Sequence, residues 1–262
     1  MALKKPAKTT SWGNVASWYD KHLQAPAGTY HREVILPNLV RLMDVKKGQA
    51  ALDVACGNGF FSRELFHLGA NVIGVDIAPE LIALAKKQSP KEIVYHVASG
   101  ESMPFVKDTS MDLALVSLAI QNIDKVKDVL AEINRTLKNG GRLFIVMNHP
   151  AFRQPKTSFW GFDDKQGKIG EPVQYRRIDE YLSESKVKIQ MHPGDRPDET
   201  TVSFHRPLQY YFKALNKAGF VVGRLEEWTS HKRSAKGPKQ AAEDKARKEI
   251  PMFLCLEAIK HT

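Results

Sequence analysis

The chain has few cysteines and no long apolar run, and each shortage excludes a class of protein. Its 262 residues contain only two cysteines, Cys56 and Cys255, too few for a disulfide framework or a cysteine-rich zinc site. No stretch approaches the roughly 18 consecutive apolar residues of a membrane-spanning helix. The first residues, MALKKPAKTTSW, are basic but lack the apolar segment of a secretory signal. We therefore expect a soluble cytoplasmic protein with no membrane span and no bound metal.

Acidic residues are outnumbered by basic ones. The 39 Lys and Arg residues and the 29 Asp and Glu residues give a formal net charge of +10 at pH 7. Such an excess favours nucleic acid or acidic surfaces as partners. However, much of it lies near the start of the chain and in residues 231–248, and charge runs of this kind are more often solvated tails or loops. Nucleic acid is therefore an alternative partner rather than the favoured one.

The rest of the chain is organised around residues 49–76, which read as strand, glycine turn, helix and strand. Before the turn, a short apolar run carries a single acid, Asp53, a pattern typical of a strand buried on both faces. Gly57 and Gly59 then permit backbone angles that a side chain would forbid, and apolar residues at helical spacing follow them. A second apolar run ends at Asp76, so the stretch predicts a βαβ unit with parallel strands.

The predicted unit suits a nucleoside-containing cofactor. A helix start offers free N–H groups and a partial positive charge, and Gly57 and Gly59 let a ligand lie against the backbone. Asp76, at the carboxyl end of the neighbouring strand, is placed to accept hydrogen bonds from a ribose diol. Ser62 stands where the nicotinamide fingerprint G-x-G-x-x-G needs its last glycine, which disfavours a nicotinamide oxidoreductase.

The series D-V-A-C-G-N-G-F at residues 53–60 resembles motif I of the class I S-adenosylmethionine (SAM) methyltransferases, and Asp76 matches their ribose-binding acid. The resemblance covers roughly residues 48–148, and a weaker match in the tail is similar to the small-molecule branch labelled methyltransferase type 11. It implies an α/β fold: a Rossmann-like, seven-stranded mixed sheet with helices on both faces and a cap inserted between strands five and six. It also implies SAM as the cofactor and methyl transfer to a small-molecule acceptor as the activity.

Further expectations concern the layout of the chain. The third strand, residues 93–97, is expected inside the sheet because it alternates too weakly for an edge strand. Alternating runs at 186–191 and 200–205, with a turn-rich link, predict a hairpin over the carboxyl edge of the sheet. The four expected parts are an N-terminal helical lid (1–47), the SAM-binding core (48–151), a substrate cap (152–206) and the end of the core (207–262), which includes a loosely structured basic linker (229–249).

The resemblance also assigns residues to the cofactor. Asp53 is expected to orient the glycine loop or the amino acid end of SAM, and Tyr19 either closes over the methionine end or is a packing aromatic. Ser99 stands where the family has the acid that bonds the adenine amino group. A neutral hydroxyl bonds about half as strongly, and the Gly100 N–H is a second group that could read the base. The residues expected to contact SAM are Tyr19, Asp53, Ala55, Gly57, Gly59, Asp76, Ile77, Ser99, Gly100, Glu101 and Ser117.

Methyl transfer from a sulfonium requires alignment and a dry site, since effective molarity alone lowers the barrier by about 7–11 kcal/mol. His149 and His205 are the candidate general bases, because imidazole titrates near neutrality. For His149 the alternative is a polar loop residue beside a proline. Arg176 or Arg177 would face an acidic group of the acceptor, and the cap's aromatic residues either touch the acceptor or form the cap's own small core. The expected acceptor contacts are Gln121, Asn122, Phe152, Trp160, Tyr175, Arg176 and Arg177.

Three functions stay open on the sequence. The favoured one is a SAM-dependent methyltransferase of a small molecule. The net charge supports a methyltransferase of RNA or protein as the alternative. A SAM-binding protein without turnover is a third, for which Ser99 is the single weak sign. Residues that only shape a pocket specify neither the methylated atom nor the oligomeric state.

Overall fold

The computed structural model describes residues 11–23, 28–164, 172–192 and 196–261. Its helices are α1 Ser11–Leu23, α2 Leu36–Met43, α3 Phe60–His67, α4 Pro79–Gln88, α5 Val126–Thr136, α6 Leu208–Lys217 and α7 Gln240–Glu249. A π-helical turn, His31–Ile35, precedes α2, and a 3-10 turn, Ile120–Asn122, precedes α5. The strands are β1 Ala50–Val54, β2 Asn71–Asp76, β3 Val94–Val97, β4 Met111–Ser117, β5 Leu137–Asn148, β6 Ser158–Asp163, β7 Val173–Ile178, β8 Ser185–His192, β9 Arg196–His205, β10 Phe220–Trp228 and β11 Phe253–Lys260. Among these described residues, no helix is both long and apolar enough to cross a bilayer.

Seven of the strands form one sheet in the order β10, β11, β5, β4, β1, β2, β3. The five adjacent strands β5, β4, β1, β2 and β3 are parallel to one another. Strand β11 is antiparallel to both of its neighbours, β5 and β10. Helices connect the parallel strands β1, β2 and β3, as crossover connections require. The arrangement confirms the predicted Rossmann-like mixed sheet.

The sheet separates two apolar cores, because successive side chains along a strand point to opposite faces. Ala51 of β1 belongs to the core that contains Leu39 of α2 and Leu65 of α3. The next residue, Leu52, belongs to the core that contains Ile133 of α5. Helices therefore cover both faces of the sheet, as predicted.

Strand β3 ends the sheet, which corrects the expectation that this strand lies inside it. Val94 and Val97 are 48% and 51% exposed, whereas Tyr95 is buried against Gly74 of β2. The prediction was wrong because an edge strand that exposes valines has the composition of an interior strand.

Two hairpins lie between β5 and α6. The predicted hairpin is present as β8 and β9, with Lys186 opposite Phe204. A second hairpin, formed by β6 and β7, pairs Trp160 with Arg176 and was missed because charges and glycine interrupt its alternation. Strand β9 contacts both α1 and the 3-10 turn, and Ser11 Oγ lies 3.0 Å from the hydroxyl oxygen of Thr201.

The segment predicted as a loosely structured linker contains α7, which corrects that expectation. Ala246 is buried and holds the helix against the rest of the protein. The Arg247 Nε donates to Ser234 Oγ at 3.0 Å, and the Ser234 N–H donates to Asp244 at 2.7 Å. Ala, Glu, Lys and Arg are good helix formers, so the same composition that resembled a solvated linker favours a helix.

Candidate functional site

A pocket opens at the carboxyl ends of three neighbouring strands of the sheet. Its walls include residues 54–55 after β1, 76–77 after β2 and 117–118 after β4. Strand β1 has β2 on one side and β4 on the other, so connections diverge at this point. Open α/β sheets bind their ligands at such a point, which makes this pocket the candidate site.

Asp76 is held rigidly at the pocket by the glycine turn. Its Oδ2 accepts a hydrogen bond from the Gly57 N–H at 2.9 Å, and its Oδ1 accepts one from the Ala78 N–H at 2.8 Å. Burial raises the pKa of Asp76, and these backbone bonds oppose the rise. A carboxylate has about four acceptor positions, so two remain for hydroxyl groups of a ligand.

Two residues of the pocket wall other than glycine adopt left-handed backbone angles. Ala55 has φ +57° and Leu118 has φ +53°, and each directly follows the last residue of its strand. Such angles cost about 1–2 kcal/mol per residue and persist where the surrounding structure enforces them. Here the Cys56 N–H donates to Val75 and the Leu118 N–H donates to Val146, so pairing across the sheet holds both turns in place.

Gly59 and Asp53 lie beneath the pocket rather than in its lining, although the sequence predicted both as cofactor contacts. Gly59 has φ +76°, and a Cβ there would overlap the hydroxyl of Tyr95. Asp53 is buried and accepts a hydrogen bond from Ser62 Oγ at 2.6 Å. Ser62, which breaks the nicotinamide fingerprint, thus supports the acid behind the glycine turn.

The stability of the protein is expected to depend on the protonation of Asp53. Burial raises its pKa to about 7, with the Ser62 hydrogen bond opposing the rise and the charge of Asp76 adding to it. The folded state therefore keeps a proton that an unfolded carboxyl loses near pH 4. The contribution of protonated Asp53 to the free energy of unfolding is full below pH 4 and is lost as the pH rises through 7. Urea unfolding of D53N should lack this loss, which is on the order of 4 kcal/mol. An identical pH profile in the parent protein and D53N would contradict the assignment.

Helix α1 closes one side of the pocket with Trp12 and Tyr19. The Tyr19 ring lies against Gly57, 3.6 Å from where a Cβ would stand, and its hydroxyl is 3.3 Å from His31 Nε2. Burial and the nearby carboxylates raise the pKa of Tyr19, so the hydroxyl keeps its proton. Tyr19 is thus both a pocket wall and a packing aromatic. Trp12 was not assigned from the sequence, although Tyr19 on the same helix was.

The other predicted cofactor residues meet at the pocket as well. Ser99 Oγ accepts the Glu101 N–H at 3.2 Å, so this hydroxyl also organises its own loop. Ser117 Oγ is buried without a hydrogen-bond partner among the described residues and is available to a ligand. Gln121 donates to the Leu118 carbonyl and does not line the pocket, whereas Asn122 does. The predicted residues that line it are Tyr19, Ala55, Gly57, Asp76, Ile77, Ser99, Gly100, Glu101, Ser117 and Asn122.

A buried arginine from the end of the cap supports the wall beside Asn122. Arg206 donates to the carbonyl of Ile123 at 3.0 Å and to that of Asp124 at 2.8 Å. Its guanidinium carbon lies 4.6 Å from the ring centroid of Phe204. Ile123 and Asp124 line the pocket, so Arg206 links the cap to the site.

Replacing Arg206 with methionine is expected to raise the dissociation constant of SAM about tenfold, because the carbonyls of Ile123 and Asp124 lose their donor and the wall loosens. R206K keeps the charge but reaches one carbonyl, so its affinity should lie between those of the parent and R206M. K186M is the control: Lys186 Nζ lies 3.5 Å from the Asp124 carboxylate at the surface, and such pairs contribute little. Equal affinity in R206M and K186M would show that Arg206 does not position this wall.

The two predicted general bases are occupied elsewhere. His149 is buried, with Nε2 2.6 Å from Glu227 Oε1 and Nδ1 accepting the Ala151 N–H at 3.2 Å. Burial lowers the pKa of His149, and Glu227 opposes this. His205 Nε2 lies 2.8 Å from the carbonyl of Tyr181. Neither side chain lines the pocket, so the structure does not bring them to the place where a methyl group would be transferred.

The predicted acceptor contacts of the cap gather around β6 and β7. Arg176 faces Trp160, and Phe152 supplies a carbonyl to Arg176 at 2.9 Å. Tyr175 is exposed on the other face of this hairpin, as is Arg177, which pairs with Asp179 at 3.0 Å. None of these residues lines the pocket in the described part of the chain.

The pocket is acidic in a basic protein. Asp76, Glu101 and Asp124 line it, and no Lys or Arg belongs to the lining that the described residues form. Lys125 pairs with Glu101 at 3.3 Å from outside the lining. Such a site attracts a cation and disfavours a pyrophosphate. No group of three or more His, Cys, Asp or Glu side chains arranged for a metal occurs in the described ranges.

The sheet order, the glycine turn and the strand-end acid together define a methyltransferase domain of the class I, SAM-dependent type that the sequence predicted. Residues 52–145 match the family model described as a methyltransferase domain, which confirms that the chain carries it.

Individual proteins show the same likeness. The chain is 26% identical over 190 residues to a malonyl-[acyl-carrier protein] O-methyltransferase of Hamiltonella defensa, covering 72% of this chain and 70% of that protein. It is 31% identical over 113 residues to a demethylmenaquinone methyltransferase of Tropheryma whipplei, covering 42% of this chain and 46% of that one. The crystal structure of an S-adenosylmethionine-dependent methyltransferase from Mesorhizobium loti is 25% identical with a TM-score of 0.66, covering 85% of this chain and 96% of that one. The chain spans about half the length, or less, of most of the first curated relatives it matches.

Proposed function

We propose that the protein binds SAM in this pocket and transfers its methyl group to a small-molecule acceptor. The observation that carries the proposal is the acidic lining formed by Asp76, Glu101 and Asp124 beside the glycine turn. SAM is a sulfonium cation with an ammonium group, so its charge matches these carboxylates. NAD carries a pyrophosphate that they would repel.

The described residues fit the parts of the cofactor. Asp76 accepts from the ribose hydroxyls, and Gly57 gives the ligand access to the backbone. Ser99 and Gly100 line the pocket and would contact the adenine, and the Ser117 hydroxyl, which has no partner among the described residues, would take a polar group of the ligand. When bound, the cofactor supplies a methyl group already activated by positive sulfur. The protein then aligns the acceptor and excludes water.

The acceptor is inferred from chemistry and relatives together. The relatives named above carry the names of a malonyl-[acyl-carrier protein] O-methyltransferase and a demethylmenaquinone methyltransferase. Both names indicate methyl transfer to acceptors other than nucleic acid. The basic side chains of α7 do not line the pocket, so the net charge alone favours the RNA alternative. A cytoplasmic location and the four-part division of the chain stay predictions that fit this function.

Calorimetry with SAM, S-adenosylhomocysteine and NAD tests the cofactor. We expect SAM and S-adenosylhomocysteine to bind at one site and NAD not to bind. Either bound ligand, at 100 times its Kd, should raise the free energy of unfolding by about 2.7 kcal/mol. Failure of folded protein to take up SAM would remove the proposal. Transfer of a radiolabelled methyl group to a small-molecule extract, but not to RNA or protein, is the expected result for the acceptor class.

A further inference from the structure

Two arginines share one tryptophan beneath the hairpin of β6 and β7. The guanidinium carbons of Arg153 and Arg176 lie 5.2 and 5.0 Å from the ring centroid of Trp160. Trp160 and Arg176 are opposite each other on the two strands, so they share a face of the hairpin. Arg153 reaches the same ring from the loop after β5.

The charges of this pair are not neutralised within the described part of the chain. Arg153 Nε is buried without a hydrogen-bond partner, and no carboxylate there pairs with it. Arg176 donates to the Phe152 carbonyl at 2.9 Å and to Ser158 Oγ at 2.6 Å, both uncharged acceptors. Burial and the repulsion of Arg176 lower the pKa of Arg153 to about 10. Such a cation is costly to keep without a counter-charge.

Two other partly buried arginines of the protein are paired with acids, and a third, Arg63, donates to the Asn58 carbonyl at 2.7 Å. Arg135 pairs with Glu132 at 2.8 Å, and Arg142 pairs with Glu257 at 3.4 Å. Arg206 is satisfied by two carbonyls. Arg153 differs from them because its buried Nε has no acceptor among the described residues.

We propose that Arg153 and Arg176, with Trp160 beside them, bind a carboxylate or phosphate group of the methyl acceptor. Arginine matches both groups with two parallel hydrogen bonds. The loop that carries Arg153 leaves β5, whose Val146 is opposite Ser117 of the pocket wall, so the two sites lie at one edge of the sheet. The acceptor would be anchored by its anion here, with its reacting atom toward the pocket. This inference rests on the proposed function.

Thermal unfolding with sodium phosphate or sodium acetate, against sodium chloride at equal ionic strength, tests the anion site. We expect phosphate, acetate or both to raise the Tm of the parent protein by at least about 2 °C. The rise should be lost in R153M and retained in R177M. Arg177 is the matched control because it is next to Arg176 in sequence but exposed and paired with Asp179.

The Tm without added anion separates binding from a structural role. Because R153M removes an unpaired charge, its Tm should equal or exceed that of the parent protein. Residues that serve function often lower stability, so their replacement can raise the Tm. If R153M unfolds, R153K should fold and show a weaker response to the anions. No anion-specific rise in the parent protein, or an equal rise in R153M, would overturn the inference. If added RNA raised the Tm while neither phosphate nor acetate did, the inference would also be overturned, in favour of a nucleic-acid surface.

Calorimetry with SAM on the same variants keeps the two proposals apart. We expect R153M to bind SAM as tightly as the parent protein, because Arg153 is outside the pocket lining. If SAM is taken up but the anion response is absent, only the anion site fails. If the anion response is present but SAM is not taken up, the methyltransferase proposal fails, and the anion belongs to a ligand other than a methyl acceptor.

Discussion

Replacing Asp76 with alanine should raise the dissociation constant of SAM about a hundredfold or more. Hydrogen bonds to a charged group contribute about 1.5–3 kcal/mol each, and we propose that two ribose hydroxyls bond to this carboxylate. The substitution also frees the Gly57 and Ala78 N–H groups that hold the turn. D76N should not rescue binding, because its NH₂ group would face one of these N–H donors. Calorimetry measures the effect directly.

Asp112 provides a matched control for Asp76. Its carboxylate also accepts a backbone N–H, that of Ala50 at 2.8 Å, and it lies at the opposite end of the sheet beside Lys138. D112A should therefore lower the Tm without altering SAM affinity. If D76A and D112A bind SAM equally well, the ribose assignment of Asp76 is wrong.

Replacing Gly59 with alanine should destabilise the protein by about 2–5 kcal/mol. A left-handed backbone costs alanine about 1–2 kcal/mol, and overlap of the new methyl group with Tyr95 adds about 1–3 kcal/mol. Urea unfolding measures the loss. Adding Y95F removes the overlapping hydroxyl and should restore part of the stability.

Gly57 is the contrasting case two residues earlier. It has φ +57°, but a Cβ there would meet only Tyr19 at 3.6 Å, an ordinary contact. G57A should therefore lose only the backbone strain of about 1–2 kcal/mol, and it should lose SAM affinity because the methyl group enters the pocket. If G59A lost affinity while keeping its stability, Gly59 would contact the cofactor after all.

Local spacing made much of this fold predictable. The apolar runs and glycines of residues 49–76 fix a βαβ unit, and its geometry places Asp76 at a strand end. Ser99 was assigned from the resemblance of its loop to the family, and Ser117 ends a strand that reaches the same edge. Their roles toward the cofactor stay predictions.

Contacts between distant segments were not predictable in this way. The resemblance that placed Tyr19 over the cofactor did not extend to Trp12 on the same helix, and Arg206 meets Ile123 and Asp124 across more than 80 residues. Asp53 and Gly59 belong to the motif, but the sequence does not show which motif residues face the ligand and which support the turn. His149 was predicted as a base from its chemistry alone, and only the structure shows Glu227 beside it.

The strand order also sets a sequence of events during synthesis on the ribosome. Strand β10 touches the sheet only through β11, although β10 is made first. Strand β10 therefore has no partner strand in the sheet until residues 253–260 leave the ribosome and insert between β10 and β5. A translation arrest after β10 would leave the five parallel strands complete in sequence, with the edge of β5 unpaired and open to association with other chains.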